Sequence, residues 1–344
     1  MKLWKYTPLD CAMLALSVAQ FGLTFWVAAG WERWSYAGRA CSFALLVFMM
    51  TYNIIVLSHL FTHAAWFNSP LLNGLVSALN SVNIGQSVQA YQLTHVRNHH
   101  RYNNDRKGPD GRTKDASSTY QDGVDGEHAG LFRYAFVGAA STLLGVGRAL
   151  LSAVTSAVTL WRVGGLEPEL LALASKTPSR RARELRQIRL DRAAHLLALC
   201  LFLFVSWKWT LLCYLPAFYL ALALVNVQNY YEHYGARPGN SYADSVSYYG
   251  RLYNLLAFND GYHQEHHLRP QAHWSTMRFV RRHYREELDR TERVVSPVPA
   301  ILGFFHRNRP LLHRSHAASV APPPPETPRD RDAAAAVTGS LAHE

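Results

Sequence analysis

Four short stretches of the sequence contain nine of its 17 histidines. Three of them hold two or three histidines at spacings of three or four residues, and the fourth holds one. The nine residues are His59 and His63; His95, His99 and His100; His233; and His263, His266 and His267. Residues three or four positions apart share a helix face, so each multi-histidine stretch can aim two or more rings at one point.

This concentration of imidazole indicates a metal site. Imidazole binds zinc, copper, iron and nickel, and one tetrahedral zinc ion takes only four ligands. Nine rings are too many for a single ion and suit two ions in an all-histidine site. A lone pair at this spacing is more often an accident of composition or a solvated helix face. Neither explanation accounts well for four histidine stretches that each lie next to an apolar segment.

The neighbours of the histidines narrow the chemistry. A zinc metalloprotease needs glutamate directly after the first histidine as its general base, and Leu60 stands there instead. A metal transporter places its ligands near mid-bilayer, whereas these follow the ends of apolar segments. Redox iron that uses dioxygen on an unactivated C–H bond of an apolar substrate fits better. A non-catalytic membrane metal-binding or transport protein remains an alternative.

Three carboxylates lie within or next to the histidine stretches, at Glu232, Asp260 and Glu265. Carboxylates near a metal site commonly accept the ring N–H of a histidine ligand and so fix the orientation of the ring. We predict this role for all three, with an ordinary salt bridge as the alternative for each.

The composition is that of a membrane protein with basic loops. Apolar residues make up 49% of the chain, and the formal net charge is +11. Such a charge can indicate nucleic-acid binding, but the excess lies beside apolar segments, which is typical of cytoplasmic loops. We therefore expect contact with membrane lipids and no nucleic-acid partner.

Two apolar hairpins bring histidines to one side of a membrane. Residues 9–30 and 41–57 form the first hairpin, which ends just before the first histidine stretch, and residues 193–205 and 211–227 form the second, which ends just before the lone histidine. About 20 apolar residues are enough to span a bilayer as a helix. The predicted fold class is all-α: an integral membrane helical protein with two transmembrane hairpins (about four spans), interfacial helices and a cytosolic cap that carries the histidines.

The segments between the hairpins are more polar. We predict an interfacial or protein-packed helix over residues 71–94 and a cytosolic loop over residues 101–127. Residues 131–160 are apolar but carry two arginines, which favours a pair of interface-lying helices or a re-entrant element. Residues 162–192 contain eight basic and four acidic residues, which predicts a cytoplasmic loop, or a solvated helix with the same topology, and an active site on the cytoplasmic face.

These elements divide the chain into four parts. We predict an N-terminal membrane anchor with the first span and its turn over residues 1–40, followed by the catalytic membrane domain over 41–275. A basic interfacial segment then covers 276–313. Residues 314–344, which are rich in proline and alanine, form a disordered tail.

The histidine stretches resemble the boxes of the integral-membrane fatty acid desaturase/hydroxylase superfamily over roughly residues 40 to 275. His59-Leu60-Phe61-Thr62-His63 looks like the first box, His95-Val96-Arg97-Asn98-His99-His100 like the second and His263-Gln264-Glu265-His266-His267 like the third. His233, with Asn229 four residues before it, looks like the additional ligand position, where the asparagine binds directly or through a water. The resemblance implies two iron ions (Fe2+/Fe3+), O2 as co-substrate and a separate electron donor of the ferredoxin, rubredoxin or cytochrome type.

Two features of the sequence point to different subfamilies. Asn229-Tyr230-Tyr231-Glu232-His233-Tyr234-Gly235 is similar to the signature of alkane hydroxylases, although Leu60 stands where their first box is acidic. His266-His267-Leu268-Arg269-Pro270 looks more like the third box of acyl-lipid desaturases. The resemblance therefore favours a desaturase that introduces a double bond into a fatty acyl lipid or acyl thioester, with an aliphatic-chain hydroxylase as the alternative.

Overall fold

The computed structural model describes residues 2–158 and 166–315. Within these ranges the chain is helical and forms no β-strand, only isolated bridges between Trp4 and Phe67 and between Ser247 and Val295. The predicted all-α fold class is therefore confirmed. Residues 316–344, most of the predicted disordered tail, lie outside the described ranges.

The α-helices of the described residues are numbered in chain order. They are α1 (Asp10–Gly30), α2 (Tyr36–Tyr52), α3 (His59–His63), α4 (Pro70–Ile84), α5 (Val88–Thr94), α6 (His100–Tyr102), α7 (Gly138–Val158), α8 (Pro168–Leu173), α9 (Pro178–Trp209), α10 (Leu215–His233), α11 (Arg251–Leu256), α12 (His263–Leu268), α13 (Met277–His283) and α14 (Arg285–Arg290). Three π-helical segments of the described residues join helices end to end, at Asn53–Ser58, His95–His99 and Thr210–Tyr214, and another, Arg133–Val137, leads into α7. Short 3-10 helices lie at Trp31–Arg33, Trp274–Thr276, Ala300–Phe305 and Leu312–Arg314.

The first hairpin consists of α1 and α2, as predicted. The Ser35 side chain accepts a hydrogen bond from Gly38 N and starts α2 five residues earlier than the predicted arm. From there the chain stays helical through the π-helical segment into α3, which ends at His63. The hairpin therefore carries the first histidine pair rigidly on its second arm.

The second hairpin consists of α9 and α10, with a break at Ser206 (φ −160°, ψ 99°). The Ser206 hydroxyl accepts a hydrogen bond from Trp209 N at 3.1 Å and so caps the returning helix. The predicted basic loop over 162–192 is wrong in part, because α9 begins at Pro178, a residue suited to the first helical turn. The alternative prediction, a solvated basic helix, fits residues 178–192. Arg162 lies outside the residues that the structure describes.

The tips of the two hairpins are joined at the end opposite to the histidines. Glu32 accepts a hydrogen bond from the Ser206 hydroxyl at 2.7 Å and pairs with Lys208 at 3.3 Å. Within the described ranges, four helical stretches are long and apolar enough to cross a membrane, and the last of them contains both arms of the second hairpin. They are Asp10–Arg33, Tyr36–His63, Arg133–Thr155 and Pro178–His233.

The polar segment over residues 71–94 packs inside the protein and is two helices rather than one. Gly85 separates α4 from α5 with a left-handed φ of 69°, and a Cβ there would lie 2.8 Å from the Phe218 ring. The buried Asn53 amide donates to Gln20 at 2.7 Å and to Asn80 of α4 at 3.1 Å. The amide oxygens of Gln20 and Asn80 thus have buried donors, which favours the packing of a polar helix among the apolar arms.

Residues 131–160 differ from the prediction of two interface-lying helices. One π-helical segment continues directly into α7, whose Ala139 packs in the core formed with α10. Leu166, the next described residue, clusters with Leu93 at the histidine end. The described part of this segment is therefore one continuous helix instead of a pair, and Arg133–Thr155 is long and apolar enough to cross a membrane.

Candidate metal centre

Five buried or half-buried histidines from all three boxes form one group, which we call the five-histidine group. Each offers a ring nitrogen, and these nitrogens lie within 4.8 Å of one another. The members are His59, His63, His95, His100 and His266. Nε2 of His59 lies 3.2 Å from Nε2 of His266, and Nε2 of His100 lies 3.2 Å from Nε2 of His95. The rings converge on one small volume.

A second set, the three-histidine group, consists of His99, His233 and His267, all buried and again within 4.8 Å of one another. The two groups adjoin, because the rings of His100 and His267 are 4.6 Å apart. The structure therefore places eight of the nine predicted histidines in two neighbouring groups.

The remaining predicted ligands lie beside the three-histidine group. The His263 ring is 4.6 Å from the His267 ring, and its Nδ1 lies 3.5 Å from Glu232. Asn229 directs its amide towards Ser117 O and the Tyr134 hydroxyl. His263 therefore lies beside the three-histidine group and is not one of its members.

Helix geometry positions the rings. The second box is a π-helical segment, and the first follows another, so the wider turn changes which side chains share a face. The third box is the short helix α12, all of it buried. Gly261 precedes it, and a Cβ at this glycine would lie 2.3 Å from Tyr248 O. The close approach of these two backbone segments fixes where α12 begins.

The ring nitrogens suit bound cations. Several are buried without a hydrogen-bond partner in the described structure, namely both nitrogens of His63 and of His267 and Nε2 of His99 and of His233. An unsatisfied buried polar atom costs about 1–3 kcal/mol, and a metal ion would satisfy these nitrogens. The pKa values of His100, His266 and His267 are well below the ordinary histidine value. Burial is the main cause, and repulsion from neighbouring rings adds to it. Neutral rings keep the lone pairs that a borderline metal such as iron requires.

The three predicted carboxylates are not placed alike. Asp260 lies 3.5 Å from His59 Nδ1, although Ile55 O is nearer to that nitrogen, at 3.0 Å. Glu232 is beside His263. Glu265 accepts hydrogen bonds from Ser247, Tyr249 and Arg281 and contacts no histidine ring among the described contacts. The salt-bridge alternative therefore describes Glu265 better than the predicted orienting role.

Sequence reasoning missed Asp115, the carboxylate that holds a histidine ring most directly. Its Oδ2 accepts from His99 Nδ1 at 2.8 Å and from Asn104 N, while Oδ1 accepts from Ser117 N and from the Ser117 hydroxyl. Burial alone would raise the pKa of this carboxyl, but the His99 ring and the Ser117 hydrogen bonds lower it below its ordinary value. No spacing signal marks Asp115, since it reaches His99 from an irregular loop.

A cavity of about 230 Å³ adjoins both histidine groups. Its wall includes His59 and His95 of the five-histidine group and His99 of the three-histidine group. Ile55 and Val225, from the two hairpins, line it as well. An apolar chain between the hairpins can therefore reach both groups at once.

Comparison with known families identifies the chain. Residues 33–298 match the fatty acid desaturase family. The chain belongs to the fatty acid desaturase family. The matched residues include all nine histidines of the four stretches, so the resemblance seen in the boxes is confirmed. A search among curated proteins found no match.

Family membership and the fold together settle the broad class. A member of the fatty acid desaturase family is a desaturase-like or related oxidoreductase, so the chain is an enzyme of that kind. The long apolar helices and the family membership together make this chain an integral membrane protein. The family typically binds two irons, and the two histidine groups are the residues that could hold metal.

Proposed function

We propose that this protein is an oxygen-dependent membrane desaturase that introduces a double bond into a fatty acyl chain. The observation that carries the proposal is the cavity between the hairpins, whose wall contains rings of both histidine groups. Desaturation removes two hydrogens from adjacent carbons. Dioxygen takes two electrons and two protons from these C–H bonds, two electrons from a separate donor of the ferredoxin, rubredoxin or cytochrome type and two protons from water, and leaves as two waters.

In this proposal the five-histidine group would hold one iron ion. His99, His233 and His267 would hold the other, with His263 beside them and Asn229 acting directly or through a water. Two bound irons would supply the oxidising power that breaks an unactivated C–H bond. Because the ring nitrogens are buried among apolar helices, the protein also excludes bulk water from the reacting carbon.

Two polar side chains of the cavity wall, those of Asn98 and Tyr134, are already hydrogen-bonded within the protein. The Asn98 amide donates to Lys114 O and accepts from Ala116 N, both at 2.8 Å. The Tyr134 hydroxyl donates to Ser117 O at 2.6 Å. Because these two polar groups bond within the protein, their side chains present mainly carbon atoms to the substrate. Packing against the wall would then decide which methylene lies near the histidine groups.

We place the histidine groups on the cytoplasmic side of the membrane. The Arg97 side chain of the second box pairs with Glu184, which puts the basic N-terminal half of α9 at the histidine end. That half carries Arg181, Arg183, Arg186 and Arg189 just before its apolar arm. An excess of arginine next to a span is typical of the cytoplasmic side.

Analysis of acyl products tests the reaction. Expression in a lipid-fed host under ¹⁸O₂, followed by mass spectrometry, should show acyl chains with one new double bond and no ¹⁸O. The alternative, an aliphatic-chain hydroxylase, is favoured by the resemblance of residues 229–235 to alkane hydroxylases. Alcohols containing ¹⁸O without new unsaturation would establish that alternative instead.

The same experiment bears on a non-catalytic metal-binding or transport protein. A host that carries the His267→Ala variant is the matched control, because the variant keeps every hairpin but lacks one ring of the three-histidine group. Products that are the same in both hosts would contradict any oxidase role for this site.

A further inference from the structure

A second cavity, whose lining contains no member of either histidine group, lies between α3, α4, α5 and the N-terminal half of α9. Its volume is about 440 Å³, within the range of small-ligand sites. Gly74 allows the two longer helices to approach closely, because a Cβ there would lie 2.9 Å from the Gln187 side chain, which donates to Gly74 O. The cavity is therefore a formed feature of the helix packing.

The α9 wall of this cavity is positively charged. Arg180, Arg183 and Arg186 line it, and all three are exposed. Glu184 is the acidic residue of the lining, and it is already bonded to Arg97, Arg180 and Ser175 N. Arg183 and Arg186 have no ion-pair partner among the described residues, so their charges are available to a ligand.

Exposed leucines adjoin the cavity on both of its long helices. Leu71 and Leu75 of α4 neighbour the lining residues Pro70 and Gly74 and are 73% and 58% exposed. Leu190 of α9, between the cavity and the apolar arm, is 52% exposed. The site therefore has cationic side chains on its wall and apolar side chains at its membrane edge.

We propose that this cavity binds the headgroup of an anionic phospholipid, whose acyl chains lie against the exposed leucines. Basic pockets between membrane helices on the cytoplasmic side bind such headgroups. A protein partner is less suited to it, since stable protein interfaces need about 800 Å² per side and this site is a small concavity. The lining of this cavity contains no histidine and shares no residue with the lining of the 230 Å³ cavity, so the lipid is distinct from the substrate.

Lipid titration of the purified protein in neutral detergent, followed by native mass spectrometry and thermal unfolding, tests the proposal. We expect one phosphatidylglycerol to bind in preference to phosphatidylcholine and to raise the unfolding temperature. Each arginine near an anionic headgroup contributes about a fivefold gain in affinity, so Arg183→Gln with Arg186→Gln should weaken binding about thirtyfold. The matched control is Arg189→Gln, on the same helix but outside the cavity lining, and it should bind like the parent.

Each other outcome contradicts the proposal. Equal binding of the two lipids, or equal weakening by Arg189→Gln, would show only general attraction to a basic surface. Stabilisation by inorganic phosphate alone at the same concentration would indicate a free-anion site. If the double variant bound lipid as the parent does but its metal centre was reduced more slowly by an acidic electron donor, the arginines would instead form the docking surface of that donor. The lipid-binding and thermal-unfolding readouts do not depend on turnover or on the redox reaction, so the lipid proposal and the proposed function can fail separately.

Discussion

The His267→Ala variant is expected to bind about one iron per chain instead of two and to lose its activity. Alanine leaves only two rings in the three-histidine group, whereas the five-histidine group is untouched. Removing a residue that hydrogen-bonds to a metal ligand lowers metal affinity or activity about 10–100-fold. Removing the ligand itself should therefore lower turnover by more than about a hundredfold. Metal analysis of the purified protein and product formation in the host measure the two effects.

His100→Ala provides the comparison, because the five-histidine group keeps four rings after this change. Four ligands are enough for a closed metal shell, so this variant should retain close to two irons per chain. His283→Ala, at an exposed position outside both groups, controls for the purification. Equal iron loss in the His267 and His100 variants would contradict the division into two unequal groups.

The Asp115→Asn variant should lower the affinity of the three-histidine group for metal by about 10–100-fold. All four groups that bond to this carboxylate donate to it: His99 Nδ1, Asn104 N, Ser117 N and the Ser117 hydroxyl. Each oxygen accepts two of these bonds, and asparagine replaces one oxygen with an NH₂ group. The donors on one side therefore lose their acceptor, and the neutral amide holds His99 less firmly than the carboxylate does. Stepwise removal of iron by a chelator should release one ion early and the other at the parent's rate.

Asp105→Asn is the matched control for Asp115. Asp105 stands in the same loop and accepts hydrogen bonds from Lys114 N and Asp115 N, but it contacts no histidine ring among the described contacts. If Asp105→Asn released iron as readily as Asp115→Asn, disorder of the loop would explain the effect. Asp115 would then have no orienting role.

The sequence predicts the hairpins and the boxes because both depend on local pattern. Apolar length alone identifies the spans, and histidine spacing alone places rings on a shared face. Residues 131–160 were harder, since arginines and glycines suggested a break. In the structure Arg133 pairs with exposed Asp122, and nothing lies within 4 Å of a Cβ built at Gly145 or Gly147, so these residues mark no turn.

The division into two histidine groups could not be read from spacing. His99 and His100 are neighbours in the chain but belong to different groups, and so do His266 and His267. Adjacent residues on a helix point in different directions, so the second and third boxes each contribute to both groups, whereas the first box contributes to one. Asp115 was missed for a related reason, because its position depends on the tertiary path of a loop.

X-ray absorption at the iron edge, combined with the iron content of the purified protein, tests the central claim most directly. Two irons per chain in a shell dominated by imidazole nitrogen are the result expected from the two histidine groups. A single metal ion per chain, or a shell dominated by carboxylate oxygen, would contradict it.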